Sequence, residues 1–257
     1  MKRMGVFAAA TAAALVLLSA RGCYRQELPE DQQWHWDLSD WDTDASVTTE
    51  SREFPLRGAE RIDVEIAMEA GVLELGSTDT AALEAEFVYR PTVLEPTATY
   101  SVEGTVGSVS VEQPSRSDGP FRAYRNEWDL KFAEGVPIDM RVSLGAGESV
   151  FDFSSLDLRD LDVQLGAGNV LMDFSGDRSE DVSARIEAGV GALTLLLPED
   201  VGVRVTRVQS GIGAIEVDDG LTREGDAYVN DAYGTSPVTI DISIESGVGA
   251  TVLETVP

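Results

Sequence analysis

The sequence predicts an all-β fold in which short strands stack like the rungs of a β-solenoid. A Gly-x-Gly pair recurs in the second half of the chain, at Gly145/Gly147, Gly166/Gly168, Gly189/Gly191, Gly211/Gly213 and Gly247/Gly249. The first four pairs begin at intervals of 21, 23 and 22 residues, and a period of roughly 20 residues is typical of solenoids. The second observation is an alternation of apolar and polar residues around each pair, which is the pattern of a half-buried strand. A β-sandwich is the alternative all-β arrangement.

Apolar residues also stand at fixed distances from the glycine pairs. Three residues before each pair the chain has Val142, Val163, Ile186, Val208 and Ile244, and six residues after its first glycine it has Phe151, Met172, Leu195, Val217 and Leu253. We therefore expect one core column for each position, with a strand on either side of a glycine corner. Glycine suits such a corner because it tolerates positive φ and close backbone approach.

The first half of the chain contains weaker copies of this pattern. Alternating apolar residues lead from Ile62 to a corner at Gly71, and residues 100–111 predict another rung. Residues 81–88 fit a strand or a short helix, and we favour a strand because the residues around Phe87 are good strand formers. An insertion at 221–237 accounts for the 36 residues between the last two glycine pairs.

The N-terminus predicts export. Residues 1–23 combine a basic start, an apolar stretch and the chain's single cysteine, Cys23, in the manner of a signal peptide that ends in a lipobox. We expect a lipid anchor at Cys23, with secretion or an uncleaved anchor as alternatives. Residues 24–50 are predicted to be an acidic tether, and residues 51–257 the β domain. The tether holds three of the four tryptophans, so a docking segment is its alternative interpretation.

The charge of the chain restricts its partners. Its 46 acidic and 19 basic residues give a net charge of −27. Such a surface repels nucleic acid and anionic lipid head groups, so we expect no nucleic-acid partner. Two interpretations stay open. The first is solubility in a salty environment, since the acid-rich composition resembles that of halophilic proteins. The second is binding of cations or of a basic partner.

The sequence lacks the residues of common catalytic and metal sites. A nucleophilic triad or a zinc site needs more than the one histidine and one cysteine that the chain contains. We expect no catalytic residue, no cofactor and no metal. Adjacent carboxylates such as Asp218 and Asp219 leave two alternatives, calcium in a turn and a carboxylate-based hydrolase of wall glycan.

Several motifs resemble those of the bacterial toast-rack domain family. Residues 126–132 read NEWDLKF, residues 136–147 read VPIDMRVSLGAG, and residues 224–234 read EGDAYVNDAYG. Residues 242–249 resemble the final rung of LiaF-type envelope-stress proteins. The resemblance implies stacked β-strands outside the cytoplasmic membrane and no catalytic residues.

These observations predict a non-catalytic surface module of the cell envelope that binds a partner or ligand in envelope stress or adhesion. A structural scaffold is the alternative. Expected partners are the membrane, through the lipid anchor, and an envelope protein or glycan. The predicted contact residues are Asn126, Trp128, Tyr228 and Tyr233. The competing interpretation is that Trp128 plugs the core and that the two tyrosines cap the stack.

Overall fold

The computed structural model describes residues 47–90, 94–114 and 125–257, except the side chains of 207–210. These described residues form a sheet of thirteen strands, which confirms the all-β prediction. The strands are β1 Thr48–Phe54, β2 Arg61–Thr78, β3 Leu83–Arg90, β4 Thr97–Glu103, β5 Val106–Glu112, β6 Arg125–Ala133, β7 Ile138–Asp152, β8 Leu158–Asp173, β9 Val182–Pro198, β10 Gly202–Val217, β11 Leu221–Glu224, β12 Ala227–Asn230 and β13 Thr239–Val256. The first strand begins at Thr48, inside the segment predicted to be a tether.

Six long parallel strands make up the centre of the fold, in the order β2-β7-β8-β9-β13-β10. Each is 15–18 residues long and runs through its glycine corner without ending. The two strands predicted for each unit are therefore one strand with a corner. We call the part before the corner the first arm and the part after it the second arm.

The corner changes which side chains face the core. In β7 the even-numbered residues Met140, Val142 and Leu144 are buried before the corner, whereas Ser149 and Phe151 are buried after it. A regular strand keeps one parity on each face, so the corner shifts the alternation by one residue. Both arms consequently bury apolar side chains in one core cluster.

The predicted core columns are present. Val142, Val163, Ile186 and Ile244 lie side by side on adjacent strands, and so do Phe151, Met172, Leu195 and Leu253; all eight are at most 2% exposed. Val208 departs from its column because β10 has an irregularity between Arg207 and Gln209. Val217 is only half-buried, because β10 is the last of the second arms.

The sheet divides at β2. Strand β5 pairs with the first arm of β2, and β6 pairs with its second arm. Strands β3 and β1 continue outward from β6, which confirms the strand predicted near residues 81–88. The rung predicted at 100–111 is wrong, because β4 and β5 form an antiparallel hairpin. Gly104, with φ of 65°, lies in the hairpin turn rather than at a stacked corner.

The opposite end of the stack departs from chain order. Strand β13, the last in the sequence, lies between β9 and β10, which it separates in the sheet. The insertion at 221–237 contains the hairpin β11–β12, which pairs with the first arm of β10 at Arg204–Thr206. This hairpin covers the first arm of β10 and leaves its second arm at the edge of the sheet.

Candidate interaction surface

The glycine corners stack directly on one another. A Cβ added at Gly168, where φ is 145°, would lie 1.7 Å from the carbonyl oxygen of Gly147. A Cβ at Gly166 would lie 2.2 Å from the carbonyl oxygen of Gly145, and the other pairs repeat both approaches. Each corner therefore leaves room for hydrogen only, at both glycines of the pair. This explains why the repeat keeps the spacing Gly-x-Gly along the chain and not a single glycine.

The corner at Gly211 and Gly213 differs from the other four in its backbone conformation. In the other four pairs the second glycine has a φ between 142° and 155°, at Gly147, Gly168, Gly191 and Gly249. Gly213 differs, because its φ lies outside the left-handed region. Close approach alone explains this glycine, because a Cβ at Gly213 would lie 1.7 Å from the carbonyl oxygen of Gly249. Among the described residues no further corner stacks on Gly213, which is exposed at the end of the series.

The middle residues of the corners form an exposed ridge across the stack. In strand order they are Ala70, Ala146, Ala167, Val190, Val248 and Ile212. Val190, Val248 and Ile212 are 57%, 48% and 79% exposed. The ridge thus becomes more apolar toward β10. We call these last three residues the aliphatic ridge.

The outer face of the first arms is polar. Glu65, Arg141, Asp162 and Arg185 lie side by side on four neighbouring strands, so that charges of opposite sign alternate across the sheet. A cavity of about 690 Å³ runs over this face, and one of about 780 Å³ runs beside the corners past Ser143 and Gln164. Both are open, shallow grooves that suit extended ligands better than small molecules.

Asn126 and Trp128 are buried, with 5% and 1% of their surface exposed. The Asn126 side-chain amide donates to the Ala70 carbonyl (2.8 Å) and to the Gln113 side chain (3.0 Å), and it accepts from the Trp128 indole (2.8 Å). The Gln113 oxygen also accepts from the backbone amides of Glu69 and Ala70. Trp128 is therefore a core residue, and Asn126 and Gln113 together close the corner of β2 where the stack ends.

The two tyrosines lie around a buried asparagine that the sequence reasoning missed. The Asn230 amide donates to the carbonyls of Pro198 (3.0 Å) and Val201 (2.7 Å). Its oxygen accepts from the backbone amides of Val203 (2.9 Å) and Tyr233 (3.1 Å). Tyr228 is half-buried against the core, and Tyr233 is 36% exposed. Of the predicted contact residues, Tyr233 alone is exposed.

Arg178 ties together the loops that follow β7 and β8. Its guanidinium donates to the carbonyls of Phe153 (2.8 Å) and Phe174 (3.2 Å), and also to that of Leu156. Burial lowers the pKa of Arg178, because desolvation disfavours the charged form, and nearby aspartates oppose this effect. Nothing in the sequence pattern distinguished Arg178 from the other arginines.

The carboxylates with shifted pKa values are stabilised as anions. Hydrogen bonds from the Gly220 amide and the Thr255 hydroxyl lower the pKa of Asp218, and Arg125 lowers that of Glu127. A glycosidase needs a carboxyl whose pKa is raised, so neither group suits that role. Within residues 47–90, 94–114 and 125–257 no group of three or more His, Cys, Asp or Glu could hold a metal ion. The same part of the chain has no helix that is long and apolar enough to cross a membrane.

The predicted signal segment and Cys23 lie outside the described residues. Within the described part, the motifs of the sequence now have defined places: NEWDLKF in β6, the GAG corners of β7 and β8, and YVNDAYG in β12 and the following turn. A family model described as the N-terminal domain of toast_rack, DUF2154, matches residues 42–196, more than half of the chain. The chain belongs to this toast-rack family.

The likeness to a solved structure extends beyond the residues that the family model matches. A candidate cell adhesion protein from Clostridium sporogenes is 28% identical; the match covers 82% of this chain and 100% of that chain, with a TM-score of 0.75. A candidate adhesin from Bacteroides fragilis is 10% identical; the match covers 80% of this chain and 97% of that chain, with a TM-score of 0.25. No curated protein matches the chain.

Proposed function

We propose that the chain is a non-catalytic toast-rack module on the outside of a bacterial cell, where it binds a partner in adhesion or envelope stress. The observation that carries this proposal is the likeness to the candidate cell adhesion protein of Clostridium sporogenes, which extends over the whole of that chain. Adhesion is the function that this likeness favours.

The surface of the fold supports the same conclusion. Its first arms present a wide polar face with shallow grooves, and the corners present the aliphatic ridge. Extended, regular surfaces of this kind suit contact with a macromolecule.

The proposed location is the outer face of the cell membrane, with a lipid on Cys23 as the anchor. A C-terminally tagged full chain and its Cys23→Ser variant test this location by fractionation and by protease treatment of intact cells. We expect the wild-type protein in the membrane fraction and open to protease, and the variant released from the membrane. A protein that stays protected inside intact cells would contradict the proposed location.

The adhesive function is tested by gene deletion in the source bacterium. We expect cells without the gene to attach less to the surfaces on which they grow or to other cells. Expression of the full chain should restore attachment. Unchanged attachment of the deletion strain, with the protein shown to be exported in the parent, would contradict adhesion.

A further inference from the structure

The sheet has four free edges within the described residues, and three of them are protected against pairing with another chain. Strand β1 carries Glu50 and Arg52, β11 is four residues long and carries Arg223 and Glu224, and β4 is rich in threonine and serine and ends at Glu103. Charged, polar and very short edge strands are the usual means by which soluble proteins prevent edge-to-edge association.

The fourth edge is the second arm of β10, residues 211–217, which we call the open edge. Its sequence, GIGAIEV, contains a single charged residue, Glu216. On one side it pairs with β13 from Ile212 to Val217, and the β11–β12 hairpin reaches β10 only at Arg204–Thr206. In the part of the chain that the structure describes, no strand lies on its other side. Its outward backbone N–H and C=O groups are therefore available to a further strand.

The side chains of the open edge are incompletely covered. Ile215 and Val217 continue the core columns of the second arms but are only half-buried, whereas Leu253, beside Val217 on β13, is 1% exposed. Ile212, the last member of the aliphatic ridge, is 79% exposed. An added strand would cover Ile215 and Val217, whereas Ile212 belongs to the ridge, where Val248 stays 48% exposed although it is paired on both sides. Apart from Glu216 this edge has no polar side chain, whereas β4 alternates threonine and serine along its length. Apolar edges of this kind are rare in proteins that remain alone in solution.

The charge around the open edge indicates which kind of strand it accepts. Four exposed carboxylates lie on or beside it, at Glu216, Asp218, Asp219 and Glu254. Residues 211–220 and 249–257 contain no lysine or arginine, and within the described residues no salt bridge involves any of the four. A second copy of the chain would bring the same carboxylates and a net charge of −27, so a cationic partner is favoured.

We propose that the open edge binds an extended segment of another protein as an additional β-strand, with aliphatic side chains at alternate positions and lysine or arginine beside them. Backbone hydrogen bonds supply affinity, as in other cases of strand addition. The aliphatic side chains cover Ile215 and Val217, and the cations lie near Glu216 and Asp219. The inference rests on the proposed function as a binding module and names its surface and the chemistry of its partner.

Two synthetic peptides test the proposal. The peptide KGATVLKTK copies residues 249–255 of β13, with lysine in place of Glu254 and one lysine added at each end. The peptide EGATVLETE keeps Glu254 and has glutamate at each end. Each is titrated into the full chain and into two variants. Glu216→Lys changes the open edge, and Glu148→Lys makes the same charge change at an exposed site on β7, which is paired on both sides.

We expect the lysine peptide to bind the wild-type chain more tightly than the glutamate peptide. Glu216→Lys should weaken binding of the lysine peptide about five- to tenfold and strengthen that of the glutamate peptide. Glu148→Lys should leave both affinities within about twofold, since screening weakens distant charges. Hydrogen exchange should show new protection at residues 211–217 when the lysine peptide is bound.

Three results would overturn the proposal. The first is absence of binding by the lysine peptide to the folded chain, and the second is equal weakening by Glu216→Lys and Glu148→Lys. The third is self-association in sedimentation experiments that Glu216→Lys abolishes, because the occupant of the edge would then be a second copy.

The attachment assay separates this inference from the proposed function. If deletion of the gene reduces attachment but cells with Glu216→Lys attach normally, adhesion stands and the open edge is not its surface. If deletion has no effect, adhesion fails, and the peptide titrations still decide whether the edge binds a strand.

Discussion

The substitution Gly168→Ala tests whether the corners stack as closely as the structure shows. The new Cβ would lie 1.7 Å from the carbonyl oxygen of Gly147, and Cβ atoms essentially never approach a heavy atom within 3.0 Å. Adjacent backbones would have to separate by about 1.3 Å, which is the difference between these two distances, inside a sheet that is paired on both sides. Overpacking of this kind costs about 1–3 kcal/mol.

The backbone conformation of Gly168 adds a second cost. Its φ of 145° is a region that other residues rarely adopt, and occupying it costs about 1–3 kcal/mol. The total loss of about 2–6 kcal/mol is a large part of the stability of an ordinary domain. In thermal unfolding followed by circular dichroism, we expect Tm to fall by at least about 5 °C.

Two matched glycine variants separate these contributions. Gly104→Ala has positive φ but no heavy atom within 4 Å of the added Cβ, so it should show a conformational cost without any overlap. Gly76→Ala has no positive φ, and its nearest atom is Lys131 Cγ at 3.9 Å, so it should have little effect or stabilise slightly. If Gly168→Ala loses no more stability than Gly104→Ala, the close stacking of the corners is refuted.

Three other predictions concern stability. Arg178→Ala should lower the free energy of unfolding, measured in urea, by about 2 kcal/mol, because several carbonyls lose their donor. Replacing the exposed Arg223 by alanine should cause no measurable loss. Equal losses in the two variants would contradict the role of Arg178 in holding the loops. Asn230→Ala should lower the free energy of unfolding by about 2–4 kcal/mol, because four backbone groups lose their partner. Asn169→Ala loses one hydrogen bond of 3.3 Å and should cost about 1 kcal/mol or less. A larger loss for Asn169→Ala would show that the Asn230 network is unimportant. Low ionic strength should lower Tm, because a net charge of −27 repels itself over a longer Debye length; a Tm independent of salt would contradict this expectation.

The repeat allowed the stacked strands to be predicted because steric contact leaves so little freedom at each corner. In β7, β8, β9, β10 and β13 both glycines face a backbone carbonyl of the neighbouring corner, so the pair recurs in all five strands, even at Gly213 where φ is not positive. The core columns could also be predicted, because in-register parallel strands place equivalent residues side by side. The hairpin β4–β5 was predicted as a rung because Gly104 and Gly107 resemble a corner pair, although they are three residues apart and the first lies in a turn.

Strand order and the polar networks could not be read from the sequence. Repeats that resemble one another do not show which of them are neighbours, so the position of β13 between β9 and β10 is visible only in the structure. The open edge depends on that order. Asn126 and Trp128 stood out in the sequence, but the hydrogen bond from Asn126 to Gln113, across the division of the sheet, is visible only in the structure. Asn230 acts on backbone groups about 30 residues earlier in the chain, which no local pattern reveals.

The central claim is that a tightly registered stack of corners ends at an unpaired apolar edge. Residue-resolved hydrogen exchange of the isolated chain tests both parts of this claim at once. We expect uniform slow exchange of the paired amides in β8 and β9, and alternating slow and fast exchange along residues 211–217, where every second amide points away from β13. Uniform protection of residues 211–217, or fast exchange throughout β8, would contradict the account.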